Sequence, residues 1–112
     1  MMKATIVDIP VHEIVDRNSF HIVFQAALGF PQFYGRNLDA WIDCMHTVDD
    51  PAAGMVSVTV EVGALMVLAI HGVEDFRRRC PQEYEALVEC VAAVNQGRVI
   101  DGLPPVLALA FV

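Results

Sequence analysis

Hydrophobic residues recur along this chain with two spacings, and each spacing predicts its own kind of element. Apolar side chains at intervals of three and four residues predict helices, whereas short apolar runs between turn residues predict strands. The order of the two patterns predicts an α/β fold with a small, mainly parallel three-stranded sheet flanked by helices. Helical spacing marks residues 19–28, 38–46, 74–79 and 81–97, and strand runs mark residues 4–7, 65–70 and 106–112.

Residues that cap or break helices place the ends of the predicted helices. Asn18 or Ser19 is the predicted cap of the first helix, which ends at Gly29. Pro81 suits the first turn of the longest helix, and Gly97 is its predicted last residue.

A further strand pattern precedes the apolar run at residues 65–70. Val56, Val58 and Val60 alternate with polar residues, which is typical of a half-exposed strand. Gly63 follows, so we expect a β-hairpin that adds a strand to the sheet. An exposed hairpin edge serves dimer contacts in some proteins and is twisted or covered in others, so the oligomeric state stays open.

The most informative chemistry is a pair of carboxylates one helical turn apart. Asn37 is a good N-cap, so Leu38 is the first predicted helical residue. Asp39 and Asp43 then share one face of the helix, where like charges repel by roughly 0.2–0.5 kcal/mol. Folding gives little reason for this pair, and a cationic partner would supply one. The apolar stripe on the other side is Leu38, Trp41, Ile42 and Met45.

The acidic face also has plainer interpretations. The helix dipole stabilises an acid in the first turn, which accounts for Asp39, and Asp43 can simply be solvated. His46 extends the same face, so a small enzyme or a metal-binding protein that uses these three residues is a further hypothesis. Two ligands such as Asp43 and His46 do not close a metal site. Cys44 and His46 point in different directions on a helix, which disfavours a nucleophile and base pair.

Residues 33–45 resemble the signature of the barstar family, the intracellular inhibitors of the ribonuclease barnase. The family pattern reads aromatic-Tyr-Gly-x-Asn-Leu-Asp-Ala-Leu-x-Asp-Cys-Leu, and this chain follows it without a gap. Beyond this window the resemblance lies in the order of the elements. The identical positions are Tyr34, Gly35, Asn37, Leu38, Asp39, Ala40, Asp43 and Cys44.

The resemblance implies a barstar-like domain over residues 1–112 that inhibits another protein and is not an enzyme. It implies no cofactor and no metal. The acidic helix and the loop before it are expected to fill the active site of a basic ribonuclease or related toxin, with Asp43 in the place of a substrate phosphate. The residues implied to bind the partner are Phe33, Tyr34, Gly35, Asn37, Asp39, Ile42, Asp43 and His46.

Several positions depart from the family pattern. Arg36 stands where the family has an acid, and a cation there opposes a basic partner. Ile42 replaces a Trp, and His46 and Val48 replace a Thr and a Trp at the end of the helix. A late interface glutamate of the family has no certain counterpart. These differences leave an alternative open, namely a protein-binding module of the same fold whose partner is not a ribonuclease.

Composition and charge narrow the classes of function. The chain is 55% hydrophobic, which argues against disorder, and no apolar run approaches the roughly 20 residues that span a bilayer. Its start lacks the features of a signal peptide, which predicts a cytoplasmic protein without a membrane partner. The net charge of −7 disfavours direct binding of nucleic acid and favours electrostatic steering toward a basic protein.

Two further groups of residues are expected to be structural. The cysteines lack a CxxC motif, which predicts reduced, mostly buried thiols. The triplet Arg77–Arg79 could bind phosphate, but short charge runs more often pair with neighbouring acids such as Glu74 and Asp75. The three cysteines are Cys44, Cys80 and Cys90.

Overall fold

The computed structural model describes residues 3–112, and these residues form a parallel sheet with four α-helices. Short 3-10 turns at Val11–Glu13 and Pro51–Ala53 connect some of the elements. The strands are β1 (Ala4–Ile9), β2 (Leu65–Ile70) and β3 (Leu107–Phe111). The helices are α1 (Arg17–Leu28), α2 (Leu38–His46), α3 (Val73–Arg79) and α4 (Pro81–Ile100).

The sheet has the order β1-β2-β3, and both strand pairs are parallel, which confirms the predicted α/β architecture. In the register, Val7 lies opposite Leu68, which in turn lies opposite Leu109. Side chains on this face of β2 are fully buried, because this is the face turned toward the core. The other face of the sheet is open, since Ile6 there is 69% exposed.

The predicted β-hairpin is wrong. Residues 51–64, which we call the long loop, contain a 3-10 turn but no strand. The valine alternation is real, because Val56 and Val60 are buried and Val58 is half-buried. Their backbone groups, however, bond outside the sheet. The amide of Val58 donates to the carbonyl of Leu28, and that of Val60 donates to the carbonyl of Val48.

Two helix ends differ from the predicted ones. The N-cap of α1 is Asp16, whose carboxylate accepts from the amide of Ser19 at 2.8 Å while the Ser19 hydroxyl accepts from the amide of Asp16. Ser19 is therefore the third helical residue. Helix α4 continues past Gly97 to Ile100. A Cβ at Gly97 would lie 3.9 Å from the His46 ring, so this glycine serves the close approach of α4 to α2.

The buried side chain of Arg98 connects three parts of the fold. Its guanidinium, in a residue that is 1% exposed, donates to both carboxylate oxygens of Asp49 at 3.0 and 2.7 Å. It also donates to the carbonyls of His46 and Pro104 at 2.7 and 2.8 Å. The hydrogen bonds from Arg98 to the Asp49 carboxylate hold the pKa of Asp49 below its usual range. The Arg98 guanidinium on the last turn of α4 therefore binds both the end of α2 and the loop before β3.

The two groups expected to be structural behave as predicted. Arg77 pairs with Glu74, and Arg78 and Arg79 both pair with Asp75. All three cysteines are free and buried. Among residues 3–112, no helix is long and apolar enough to cross a membrane.

Arg98→Met is expected to lower the free energy of unfolding by about 3–5 kcal/mol. The substitution keeps an apolar stem but leaves the Asp49 carboxylate without its cation and two carbonyls without donors. Urea unfolding at neutral pH measures the change.

Arg77→Met is the matched control for this prediction. The exposed Arg77 and Glu74 side chains form an ion pair of the kind that contributes about 0–1 kcal/mol. An equal loss in the two variants would show that Arg98 has no special role.

Candidate functional site

The N-cap and the buried residues of α2 set the orientation of its acidic face. The Asn37 side chain accepts from the amide of Ala40 at 2.8 Å, which confirms the predicted N-cap and starts the helix at Leu38. Trp41 and Met45 are completely buried. Because these residues orient the helix, Asp39 and Asp43 face outward, and both are exposed.

The two carboxylates are free of counter-charges. Within residues 3–112, neither Asp39 nor Asp43 takes part in an ion pair or a side-chain hydrogen bond. His46, at the end of the same face, is half-buried and lies 3.4 Å from a carboxylate oxygen of Asp101. The first two acids are thus available to a partner, whereas the histidine already has a neighbouring anion.

The loop before α2 places its two aromatic residues differently. Phe33 projects into solvent and is 76% exposed. Tyr34 is buried, and its hydroxyl lies 2.5 Å from Nδ1 of His21 on α1. Its ring also packs against Phe30. Of the aromatic pair that the sequence assigns to partner binding, Phe33 offers a free ring and Tyr34 anchors the loop.

Gly35 and Arg36 shape the turn that leads into the helix. A Cβ at Gly35 would come within 3.0 Å of the Asn37 side-chain amide, so a larger residue would press on the cap. Arg36 has a φ of 52°, in the left-handed region that disfavours a residue with a side chain. The turn therefore has a positively charged residue with a strained backbone immediately before the cap of α2.

A groove of about 190 Å³ lies between the loop, α2 and the long loop. Its walls are mainly apolar, and Asp43 supplies its one carboxylate. A planar or aliphatic cation has the chemistry to fill such a groove, because its stem contacts the walls and its charge meets the acid. The lining residues are Pro31, Phe33, Tyr34, Gly35, Ala40, Asp43, Cys44 and Met55.

The Cys44 thiol at this groove is protonated at neutral pH. Burial raises its pKa to about 11, and the negative charge of Asp43 acts in the same direction. A protonated thiol is a poor nucleophile. Across the described part of the chain, no three His, Cys, Asp or Glu side chains come together as metal ligands.

Two residues near the site, His21 and Met55, are missed by the sequence reasoning. His21 is separated by three and seven residues from the core residues Phe24 and Leu28, and this helical spacing could have marked it as buried. No local signal marks Met55.

A comparison with models of known protein families matches residues 4–105 to the model described as barstar (barnase inhibitor). The match extends from the first residue of β1 into the loop before β3, so it includes α2 and both of its flanking loops. It confirms the resemblance seen in residues 33–45. A search of the curated proteins finds no match.

The His21–Tyr34 contact predicts a loss of stability in mild acid. Burial lowers the pKa of His21, and the positive charges of Arg17 and Arg36 act in the same direction. An unfolded histidine titrates near about pH 6.5. The stability that His21 contributes is therefore fully present above that pH, and it is lost as the pH falls through the lower folded value. Thermal unfolding between neutral pH and about pH 5 measures the loss.

His21→Gln should flatten this dependence, because glutamine does not titrate. The exposed His12 is the control position, so His12→Gln should keep the full dependence. A pH profile that is identical in wild type and His21→Gln would contradict the prediction.

Proposed function

Since the chain belongs to the barstar (barnase inhibitor) family, we propose that it binds and blocks the active site of a barnase-like ribonuclease or a related basic toxin. The inhibitor would act in the cytoplasm, in the manner of an immunity protein or antitoxin. The observation that carries the proposal is a pair of exposed carboxylates, Asp39 and Asp43, which have no ion-pair partner within residues 3–112 and share this surface with the exposed ring of Phe33.

The chemistry of a ribonuclease site explains why carboxylates suit this role. Such a site holds phosphate with cationic side chains, and a carboxylate accepts the same charge-assisted hydrogen bonds. Asp43 is the proposed central anchor, because it borders the groove whose walls can hold the rest of a cationic side chain. Asp39 is the proposed second charge. Charge pairs that lose their water on binding can contribute several kcal/mol each.

The surface is held in its proposed binding shape before a partner arrives. Asn37 caps one end of α2, Arg98 binds the last carbonyl of the helix at the other end, and His21 fixes Tyr34 in the preceding loop. A preformed surface loses less conformational entropy on binding than a flexible one. The net charge of −7 favours the approach of a basic partner.

The alternative partner, a protein other than a ribonuclease, is favoured by one observation. Arg36 stands in the turn that leads into α2, and its backbone is in the left-handed region that disfavours a residue with a side chain. A partner that presents an acid at this point would use the cation, and a purely basic ribonuclease would be repelled by it.

Asp43→Ala is the direct test of the proposed anchor. Wild type and variant are titrated into a panel of small barnase-like ribonucleases while RNA cleavage is followed. Wild type is expected to inhibit at least one enzyme stoichiometrically. The variant should bind about 2–5 kcal/mol more weakly, because partner cations are left unpaired in the interface.

Asp8→Ala is the matched control, since Asp8 is an exposed carboxylate on the open face of the sheet. It should inhibit as wild type does. Both variants should unfold within about 0.5 kcal/mol of wild type. Equal inhibition by wild type and Asp43→Ala would remove Asp43 from the interface, and no inhibition of any enzyme would favour the alternative partner.

Arg36→Gly separates the two candidate partners. Glycine suits the left-handed backbone and removes the cation, so a ribonuclease should be bound several times more tightly at low salt. The gain should shrink at roughly 0.5 M NaCl, where charges are screened. Affinities measured by titration calorimetry at the two salt concentrations provide the test. Weaker binding of the true partner by Arg36→Gly would show that Arg36 contacts an acid.

A further inference from the structure

The long loop, residues 51–64, is firmly attached although it adds no strand to the sheet. The amide of Ser57 donates to the carbonyl of Leu28 at 2.9 Å, and the Ser57 hydroxyl donates to the carbonyl of Gly29 at 3.3 Å. The amide of Val60 donates to the carbonyl of Val48, also at 2.9 Å. With Val56 and Val60 buried as well, the loop holds a definite position beside α2.

This attachment places one apolar side chain of the long loop in a groove with Asp43 and another in a groove with His46. Met55 packs on the core with one side and lines the groove beside Asp43 with the other. Val62 is 83% exposed and lines a second groove of about 400 Å³, which His46 and Leu103 also border. Asp43 borders the first of these grooves, and His46 borders the second.

The core does not explain the side chain of Val62. It stands outside the cluster of packed apolar residues, and it shares its groove with Leu103, another exposed large apolar residue. Neighbouring apolar side chains that face water next to charged ones are typical of interaction surfaces. Asp50 also lines this groove, so the charge of the acidic face continues into it.

We propose that the long loop selects the partner of this chain. The second groove, with Val62 and Leu103, would receive an apolar side chain of the same basic protein that binds Asp39 and Asp43. Met55 would contact that protein at the first groove. The inference rests on the proposed function, and its argument is the continuity of both grooves with the acidic face.

The division of roles follows from the physics of the two kinds of contact. Carboxylates attract any basic surface, whereas close apolar contacts discriminate between partners of similar charge. Methionine suits such a position because its flexible side chain adapts to the surface it meets. Val62 and Leu103 add apolar area that only a complementary partner can cover.

Val62→Ser tests the inference, with Ile6→Ser as the control. Both residues are strongly exposed, and Ile6 lies on the open face of the sheet. The inhibition constant toward the ribonuclease that wild type inhibits is measured for each variant. We expect about tenfold weaker inhibition by Val62→Ser and less than about twofold change for the control. Met55→Ser should weaken inhibition in the same direction.

Salt distinguishes these apolar contacts from the acidic ones. The loss caused by Val62→Ser should be the same at low salt and at roughly 0.5 M NaCl, whereas the loss caused by Asp43→Ala should shrink with screening. Thermal unfolding of Val62→Ser should match that of wild type, because the side chain is exposed.

Each outcome has a separate meaning. If Asp43→Ala fails to inhibit while Val62→Ser inhibits normally, the result supports partner binding by the acidic face. The same result contradicts the proposed role of the long loop. If sedimentation shows that wild type is a dimer, and Val62→Ser separates it without changing inhibition, the second groove binds another copy of the chain and the proposal is wrong. If wild type inhibits no ribonuclease, the proposed function and this inference fall together.

Discussion

The buried guanidinium of Arg98 is the interaction on which the arrangement of the other elements depends. It is bound to the carboxylate of Asp49 and to two backbone carbonyls, so its charge and most of its donors are satisfied away from water. Removal of one member of a buried pair costs far more than the pair itself contributes, because the remaining charge is left without a partner. Two helices and a strand connection must therefore keep their relative positions. Asn95 on α4 adds a second polar contact, since its side chain bonds both the amide and the carbonyl of Leu107 at the start of β3.

This arrangement separates stability from the proposed binding chemistry. The charges that hold the fold together are buried or paired, as in Arg98 with Asp49 and Arg79 with Asp75. Asp39 and Asp43 have no such partner within residues 3–112, and they repel one another across a helical turn. The helix dipole favours Asp39 in the first turn of α2, but neither acid forms a stabilising ion pair within residues 3–112. The two carboxylates would gain a counter-charge only when a cationic partner binds.

The segments around the acidic face also combine exposed residues with buried ones that hold them in place. Asp39, Asp43, Phe33 and Val62, which we propose to meet the partner, are exposed, and the segments that contain them also have buried residues. Phe33 is held by its neighbour Tyr34, which is bonded to His21 inside the protein. The long loop is held through Val56 and Val60 while Val62 stays free. A binding surface built in this way loses little conformational freedom on association.

Features that depend only on neighbouring residues can be predicted from the amino-acid sequence alone. The helical spacing of α2, the Asn37 cap and the outward position of Asp39 and Asp43 are encoded within a few residues of one another, and the structure has them as predicted. The family signature is equally local, which is why residues 33–45 were enough to identify it. The wrongly predicted cap of α1 shows the limit: Asp16 and Ser19 lie close together in the sequence, and two reciprocal hydrogen bonds between them make Asp16 the cap.

Contacts between distant parts of the chain could be seen only in the tertiary structure. The valine alternation at residues 56–60 describes burial correctly, but whether those amides bond to a strand or to Leu28 depends on which segment lies beside them. No local pattern pairs Arg98 with Asp49 or His21 with Tyr34. Periodicity reports which side of a segment is buried. The partner against which that side is buried is set by the packing of the whole chain, and hydrogen bonds over long sequence distances form only once that packing exists.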